Sequence, residues 1–403
     1  MRPTRTRIAL TLLAPFALLL AIESLFHTRL WERHAQPASH AGMSVRLKRA
    51  LHDPVAKRID FVTLGSSRPE YGIDHAAWAT RARERGLVDA DLSMPGTHWM
   101  TLGVLTRWLA REHQEIRGGI IGMAIQDFSN PGNGAYELGI VQPFRTLADT
   151  PWIARHVRFD IHDLSTWGVY SSMAEWRSDL REYLKNPSKR RESIRWYRQN
   201  ITPQRTLFGN PQSKGDMCAF GLTNLSACDA IEATSDDANA GLRRQCAELR
   251  DMANSRPDFE AMLRGADVPA STARARDLVR EQLREIAWRE PPVVVLMPVP
   301  TLWSRDVLGK GQHAWALHVL QPLVDEGRIR VLDATDLFAG DAEECRNFFD
   351  LYHQNAAGRE RLDAWLKPRL EPMLDAAAAR TTASAAARRA PGKSPSPHGM
   401  MAR

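Results

Sequence analysis

The sequence predicts an α/β fold built on a parallel sheet, and three observations carry that prediction. Short β-branched runs alternate with longer helical patterns along the chain. Several runs are apolar without interruption, as in G-I-I-G-M-A-I at 119–125 and P-V-V-V-L-M at 292–297. Strands covered by helices on both faces need that composition. Finally, 43% of the 403 residues are hydrophobic, as in a globular protein and unlike a disordered, collagenous or disulfide-dense chain.

Taken in order, a polar connector runs to residue 58 and strands are expected at 59–64 (I-D-F-V-T-L), 88–92, 119–125, 292–297 and 329–332. Helical patterns lie at 75–85, 99–113, 313–326 and 356–370. The rhythm breaks once, because more than 160 residues separate the third strand from Pro292. Much of that stretch is charged and helix-favouring, as in M-A-E-W-R-S-D-L-R-E-Y-L from Met173. Residues 166–285 therefore read as a mainly helical insertion between 59–165 and 286–375, whose 197 residues suit one α/β domain. Beyond Asp375 large apolar residues are scarce, and 376–403 is expected to be a disordered basic tail.

Net charge is +7, from 54 Lys plus Arg against 47 Asp plus Glu. It sits at the ends. Arg2, Arg5 and Arg7 open the chain, and Arg380, Arg388, Arg389, Lys393 and Arg403 close it, which leaves the body between them at −1. A near-neutral body lacks the clustered cations of a nucleic-acid footprint, so no nucleic-acid partner is expected. The three leading arginines precede an uncharged run, I-A-L-T-L-L-A-P-F-A-L-L-L-A-I, continued past Glu23 by Ser24, Leu25 and Phe26. This pattern, residues 1–58 with its connector, is an export signal or a single-pass anchor. The nearest small-x-small site, Ser39-His40-Ala41, lies well beyond the run, which favours a retained transmembrane helix. The basic start puts the amino terminus in the cytoplasm and the body on the periplasmic or extracytoplasmic side of the inner membrane.

Four cysteines, Cys218, Cys228, Cys246 and Cys345, form no C-x-x-C pair and no zinc spacing, so neither metal nor cofactor is expected. A disulfide such as Cys218 to Cys228 suits an exported body, with free buried thiols as the alternative. There is no G-x-x-x-x-G-K-[ST], H-E-x-x-H, G-x-S-x-G or G-x-G-x-x-G after a strand. Two features remain. G-S-S-R-P at 65–69 follows the first strand, where an open parallel sheet presents ligands to the carboxyl ends of its strands. Gly65 permits the tight turn and the turn's N–H groups can face an oxyanion. D-L-Y-H at 350–353 places a carboxylate three residues before a histidine, expected on the first turn of the last helix. A serine needs such a pair, since its hydroxyl is a poor nucleophile until a histidine takes its proton.

In this order the two motifs resemble the SGNH/GDSL hydrolase superfamily, and within it the membrane-anchored proteins of alginate O-acetylation and lipoteichoic-acid D-alanylation. The resemblance implies a three-layer, flavodoxin-like fold with a five-stranded parallel sheet. It puts the nucleophile on Ser67 and the acid and base on Asp350 and His353. Gly96 in D-L-S-M-P-G-T matches the glycine whose N–H joins that of Ser67 in the oxyanion hole. The G-x-N-D block corresponds to Ala124-Ile125-Gln126-Asp127, so the glycine is lost and Gln126 replaces the asparagine. The implied activity is acyl transfer to, or ester cleavage from, a cell-surface polysaccharide or glycan. Outside the cytoplasm a transferase needs its acyl groups delivered by an integral membrane acyltransferase. A catalytically weak scaffold in envelope-polymer assembly and a secreted lipase-like hydrolase are the alternatives. Arg68 is placed to meet an anionic polymer. Trp99 and Trp303, near the active end, can pack on a sugar ring, with core packing as the alternative for each. Asp333 and Asp336 compete with Asp350 for the triad but have no histidine at a matching spacing.

Overall fold

The computed structural model describes residues 5–27, 29–51, 58–113, 116–130, 132, 134–200, 217–220, 224–232 and 240–389. Five strands form one sheet: β1 (Phe61–Gly65), β2 (Asp89–Ser93), β3 (Gly118–Met123), β4 (Val293–Leu296) and β5 (Arg330–Asp333). All pairings are parallel and the order is β2-β1-β3-β4-β5. This is the doubly wound flavodoxin order, in which the chain reverses direction between β1 and β3 and opens a crevice at their carboxyl ends.

The sheet is the middle of three layers. Val62, Leu64, Ile121, Met123, Val294 and Leu296 face one core, shared with helices Trp99–Glu112 and Gln312–Asp325. Phe61, Ile120, Val293 and Val295 face the other, with Trp78 of helix His75–Glu84 and Leu362, Leu366, Leu370 and Leu374 of the last helix. Those four leucines recur every fourth residue, so they form one stripe along the helix. Cutting any one to alanine is worth about 2–5 kcal/mol.

Two boundaries move from their expected places. Helix Ala270–Glu285 belongs to the α/β body, because Leu278, Val279 and Leu283 are buried in the sheet's first core. Its apolar stripe is narrow and its other faces are charged, so composition hides it. The last helix spans Ala356–Arg389, well past Asp375. Met373, Leu374 and Ala377 are buried, and Arg117 Nη1 donates to the Ala377 carbonyl at 3.3 Å. Alanine-rich sequence needs few large side chains to stay helical once its first turns are docked. The rest of the expected tail, 390–403, lies outside the described residues. Between β3 and helix Ala270–Glu285 the described residues hold helices, among them Arg177–Lys185, Pro187–Asn200 and Ala240–Ser255, and no strand.

The apolar amino-terminal run is a helix, Arg5–His27, with Pro15 inside it. Among the described residues no helix is long and apolar enough to cross a membrane; the side chains of residues 5–12 lie outside the described set. The helix ends docked on the body. The Glu23 carboxylate accepts from Ser171 Oγ at 2.8 Å and from the Ser172 and Met173 N–H groups. Phe26 packs in a small cluster with Ala35, Val45 and Trp176.

The cysteines pair as Cys218–Cys345 and Cys228–Cys246, not as Cys218–Cys228. Cys218 lies on the turn Met217–Phe220, whose Met217 N–H donates to the Phe348 carbonyl at 2.8 Å. That contact brings it to Cys345, 127 residues away, where sequence proximity would not look.

Candidate active site

β1 delivers the first segment of the candidate site. Gly65 closes the strand at φ +150°, and a Cβ there would lie 2.3 Å from the Gly122 carbonyl oxygen and 2.4 Å from Pro69. Only glycine fits this close approach of two strands and a turn. The chain then enters helix Ser67–Gly72, and the neighbouring serines divide the work. Ser66 is the cap, its Oγ accepting from the Arg68 N–H at 3.3 Å. The Ser67 hydroxyl is left for other chemistry, and it meets His353 Nε2 at 2.7 Å.

The second segment lies on a loop before the last helix rather than on the helix itself, whose first residue is Ala356. Asp350 explains the difference. Its Oδ1 accepts from the Tyr352 N–H at 2.7 Å and the His353 N–H at 2.8 Å, so the side chain closes a tight turn that a helix would open. The same carboxylate lies 2.9 and 3.0 Å from His353 Nδ1. A carboxylate only accepts, so Nδ1 carries the proton and Nε2 turns its lone pair to the Ser67 hydroxyl. The expected triad residues thus stand in one hydrogen-bonded line, Asp350 to His353 to Ser67. The imidazole is walled by aromatics that sequence reasoning missed: Phe349 stacks on it at 5.3 Å and 11°, and Tyr71 lies 5.0 Å away. No local motif marks these residues; folding brings Tyr71 to the loop.

Gly96 follows β2 with φ +72°, a left-handed conformation that side chains resist. Gln126 sits on the short 3-10 turn Ile125–Phe128 after β3. Trp303 Nε1 donates to its Oε1 at 3.4 Å, which holds the oxygen end and leaves the amide N–H groups as donors. Asp127 closes this turn, its Oδ2 accepting from the Ala124 N–H at 2.9 Å.

Of the three residues expected to bind substrate, two are corrected. Trp99 has no exposed surface and packs edge-on against Phe128 at 5.4 Å, because the first turn of its helix points it into the core. Trp303 is buried as well, edge-on to Tyr352 at 4.8 Å and bonded to Gln126, so it positions site residues and offers no face to a sugar. Arg68 is at the site but hidden, 4% exposed, with its guanidinium 5.8 Å from the Tyr352 ring centroid. Burial pushes its pKa down, against the pull of Asp127, Tyr352 and Asp350.

Asp333 and Asp336 do find a histidine, from another element. His313 Nε2 bonds Asp333 Oδ2 at 2.5 Å, and its Nδ1 lies 3.9 Å from Asp336. Among the described residues no group of three or more His, Cys, Asp or Glu side chains is arranged to hold a metal ion. Neither a protein-family model nor a curated protein matches the chain.

Proposed function

We propose that the chain is an SGNH-type serine acyltransferase or esterase that modifies a cell-surface polysaccharide or related glycan. The observation that carries this reading is the line from Asp350 through His353 to the Ser67 hydroxyl, with 2.9 Å and 2.7 Å steps. His353 takes the Ser67 proton as Oγ attacks the acyl carbonyl. The tetrahedral intermediate places its oxyanion among the N–H groups of Ser67 and Gly96 and the Gln126 amide, each donor contributing about 3 kcal/mol. Collapse breaks the donor's ester bond, His353 returns the proton to the departing oxygen, and the acyl group stays on Ser67. A sugar hydroxyl or water then gives its proton to His353, attacks the acyl-serine and regenerates the enzyme.

The reading includes retention at the outer face of the cytoplasmic membrane, with an integral membrane acyltransferase as donor. Two features support it. Leu13, Leu18, Leu19, Leu20 and Leu25 on helix Arg5–His27 are all more than half exposed. Beside its docking point at Ser171, the segment holding Phe159, Ile161, Leu164, Trp167 and Tyr170 also exposes apolar surface, with aromatic rings of the kind found at membrane interfaces. The test is fluorophosphonate labelling of the full chain, read by mass spectrometry. Ser67→Ala should abolish the adduct and Ser66→Ala should retain it; labelling that survives Ser67→Ala overturns the assignment.

A further inference from the structure

Four arginines are buried among the described residues: Arg68, Arg117, Arg145 and Arg190. Three are buried because they are paired. Arg117 donates to Asp60 at 2.9 Å and to the Ala377 carbonyl. Arg145 donates to the Gly168 and Val169 carbonyls and to Thr150 Oγ1. Arg190 joins Asp179, Glu182 and the His34 carbonyl. Arg68 is the exception. Its guanidinium makes no ion pair or hydrogen bond among the described residues, and its Nη1 is fully buried without a partner. Its neighbour is the face of Tyr352, which supplies a weak attraction and no acceptor, and Asp127 and Asp350 attract its charge without bonding it.

Burying an unpaired cation is among the costlier things a fold can do. Arg68 also follows the nucleophile directly, and its head lies by the ring of the residue before His353. A guanidinium presents a planar fork suited to two oxygens of one anion. We infer that Arg68 receives an oxyanion carried by the substrate, a carboxylate or a phosphate, and holds it beside the acyl group that Ser67 attacks. The inference rests on the serine-acyl reading above and adds to it a substrate class, acidic glycans.

Turnover by the full-length protein should be compared on matched esters. The O-acetylated methyl glycoside of galacturonic acid, its carboxylate free, is set against the O-acetylated methyl glycoside of galactose, and O-acetylated glucose 6-phosphate against O-acetylated glucose; the two pairs separate carboxylate from phosphate. In at least one pair kcat/KM should favour the anion by about tenfold or more. Arg68→Gln should bring that ratio to about one, mainly through KM, and Arg68→Lys should fall between, keeping the charge without the fork. Thermal stability supplies an independent readout. Removing an unpaired buried charge should leave the Tm of Arg68→Gln at or above the parent, whereas Arg117→Gln, which takes from buried Asp60 one of its two arginine partners, should lower it. An unchanged ratio overturns the inference, as does an equal loss on both members of a pair, which would make Arg68 part of the general oxyanion machinery. Calorimetric titration of galacturonate and of inorganic phosphate into Ser67→Ala and Ser67→Ala/Arg68→Gln needs no turnover. Arg68-dependent binding there upholds the anion site even if no ester is cleaved, and its absence sinks it.

Discussion

Among the histidine–carboxylate contacts beyond the strand ends of this sheet, those of His353 and His313 differ in what occupies the far nitrogen of the ring. His353 has a carboxylate on Nδ1 and a hydroxyl on Nε2. His313, on the first turn of helix Gln312–Asp325, has carboxylates toward both nitrogens, Asp333 at 2.5 Å and Asp336 at 3.9 Å. The hydrogen bond to Asp333 leads in raising the His313 pKa, and both carboxylates add to it. Carboxylates toward both nitrogens favour the protonated ring, which has no lone pair for a proton. Close contact between His and Asp therefore does not identify a base. His353 differs in having a hydroxyl on the opposite nitrogen, as the proposed base requires.

The largest effect expected from that contrast is on turnover. His353→Ala should cut ester turnover by about 10³-fold or more, since a serine nucleophile without its base retains only what binding and the oxyanion donors supply. His313→Ala should leave it within about twofold, as expected for a surface change away from the reacting atoms. Parallel losses in the two variants would erase the distinction, and a larger loss for His313→Ala would reverse it.

The two disulfides also differ in what they hold. The loop of His353 is stapled by Cys218–Cys345, which closes 127 residues, whereas the other disulfide, Cys228–Cys246, closes 18 within neighbouring helices. Chain-entropy arguments give about 5 kcal/mol for the longer closure and about 3 kcal/mol for the shorter. Cys345→Ser should therefore cost more in denaturant midpoint than Cys246→Ser. It should also lower turnover at temperatures where both variants remain folded, because Met217 and Phe348 lose the link that holds them in register. If Cys246→Ser proves the more damaging in both measurements, the longer bridge does not secure the catalytic loop.

What the sequence made legible follows how local each feature is. β1, β3 and β4 were found because buried parallel strands carry continuous apolar runs. Ser67, Asp350 and His353, which the fold brings together, were singled out because each lies in a short motif at the end of an element. Features made by long-range packing were not legible. His313 is 20 residues from Asp333, and nothing at that spacing announces a pair. Trp99 and Gly96 are three residues apart, yet one caps a crevice and the other turns inward as its helix begins. Asp350 and His353 were expected on a helix because helical spacing brings i and i+3 together. A turn closed by the Asp350 side chain brings them together equally well, and periodicity does not separate the two. Arg68 was legible as a cation beside the nucleophile, but its solitude depends on every neighbour the fold supplies.

The smallest expected effect is a pH dependence that belongs to the His313–Asp333 pair. The folded pKa of His313 lies above its ordinary value of 6.5, so protonation is linked to folding. Its contribution is fully present below about pH 6.5 and is lost as pH rises through the folded value. Asp333, whose folded pKa is lowered by the His313 bond and the Thr335 N–H against the cost of burial, acts in the opposite sense. Its contribution is present above its ordinary value and is lost as pH falls through the folded one. The pair therefore supports the fold most in mildly acidic solution. With both side chains about one-third exposed, solvent screening keeps the whole effect to less than about 1 kcal/mol. His313→Gln should flatten the fall in stability between about pH 6.5 and 8 while leaving the pH dependence of Ser67 labelling in place. A shift in the labelling profile with His313→Gln would mean that the two histidines titrate as one system, and the separation drawn between them would fail.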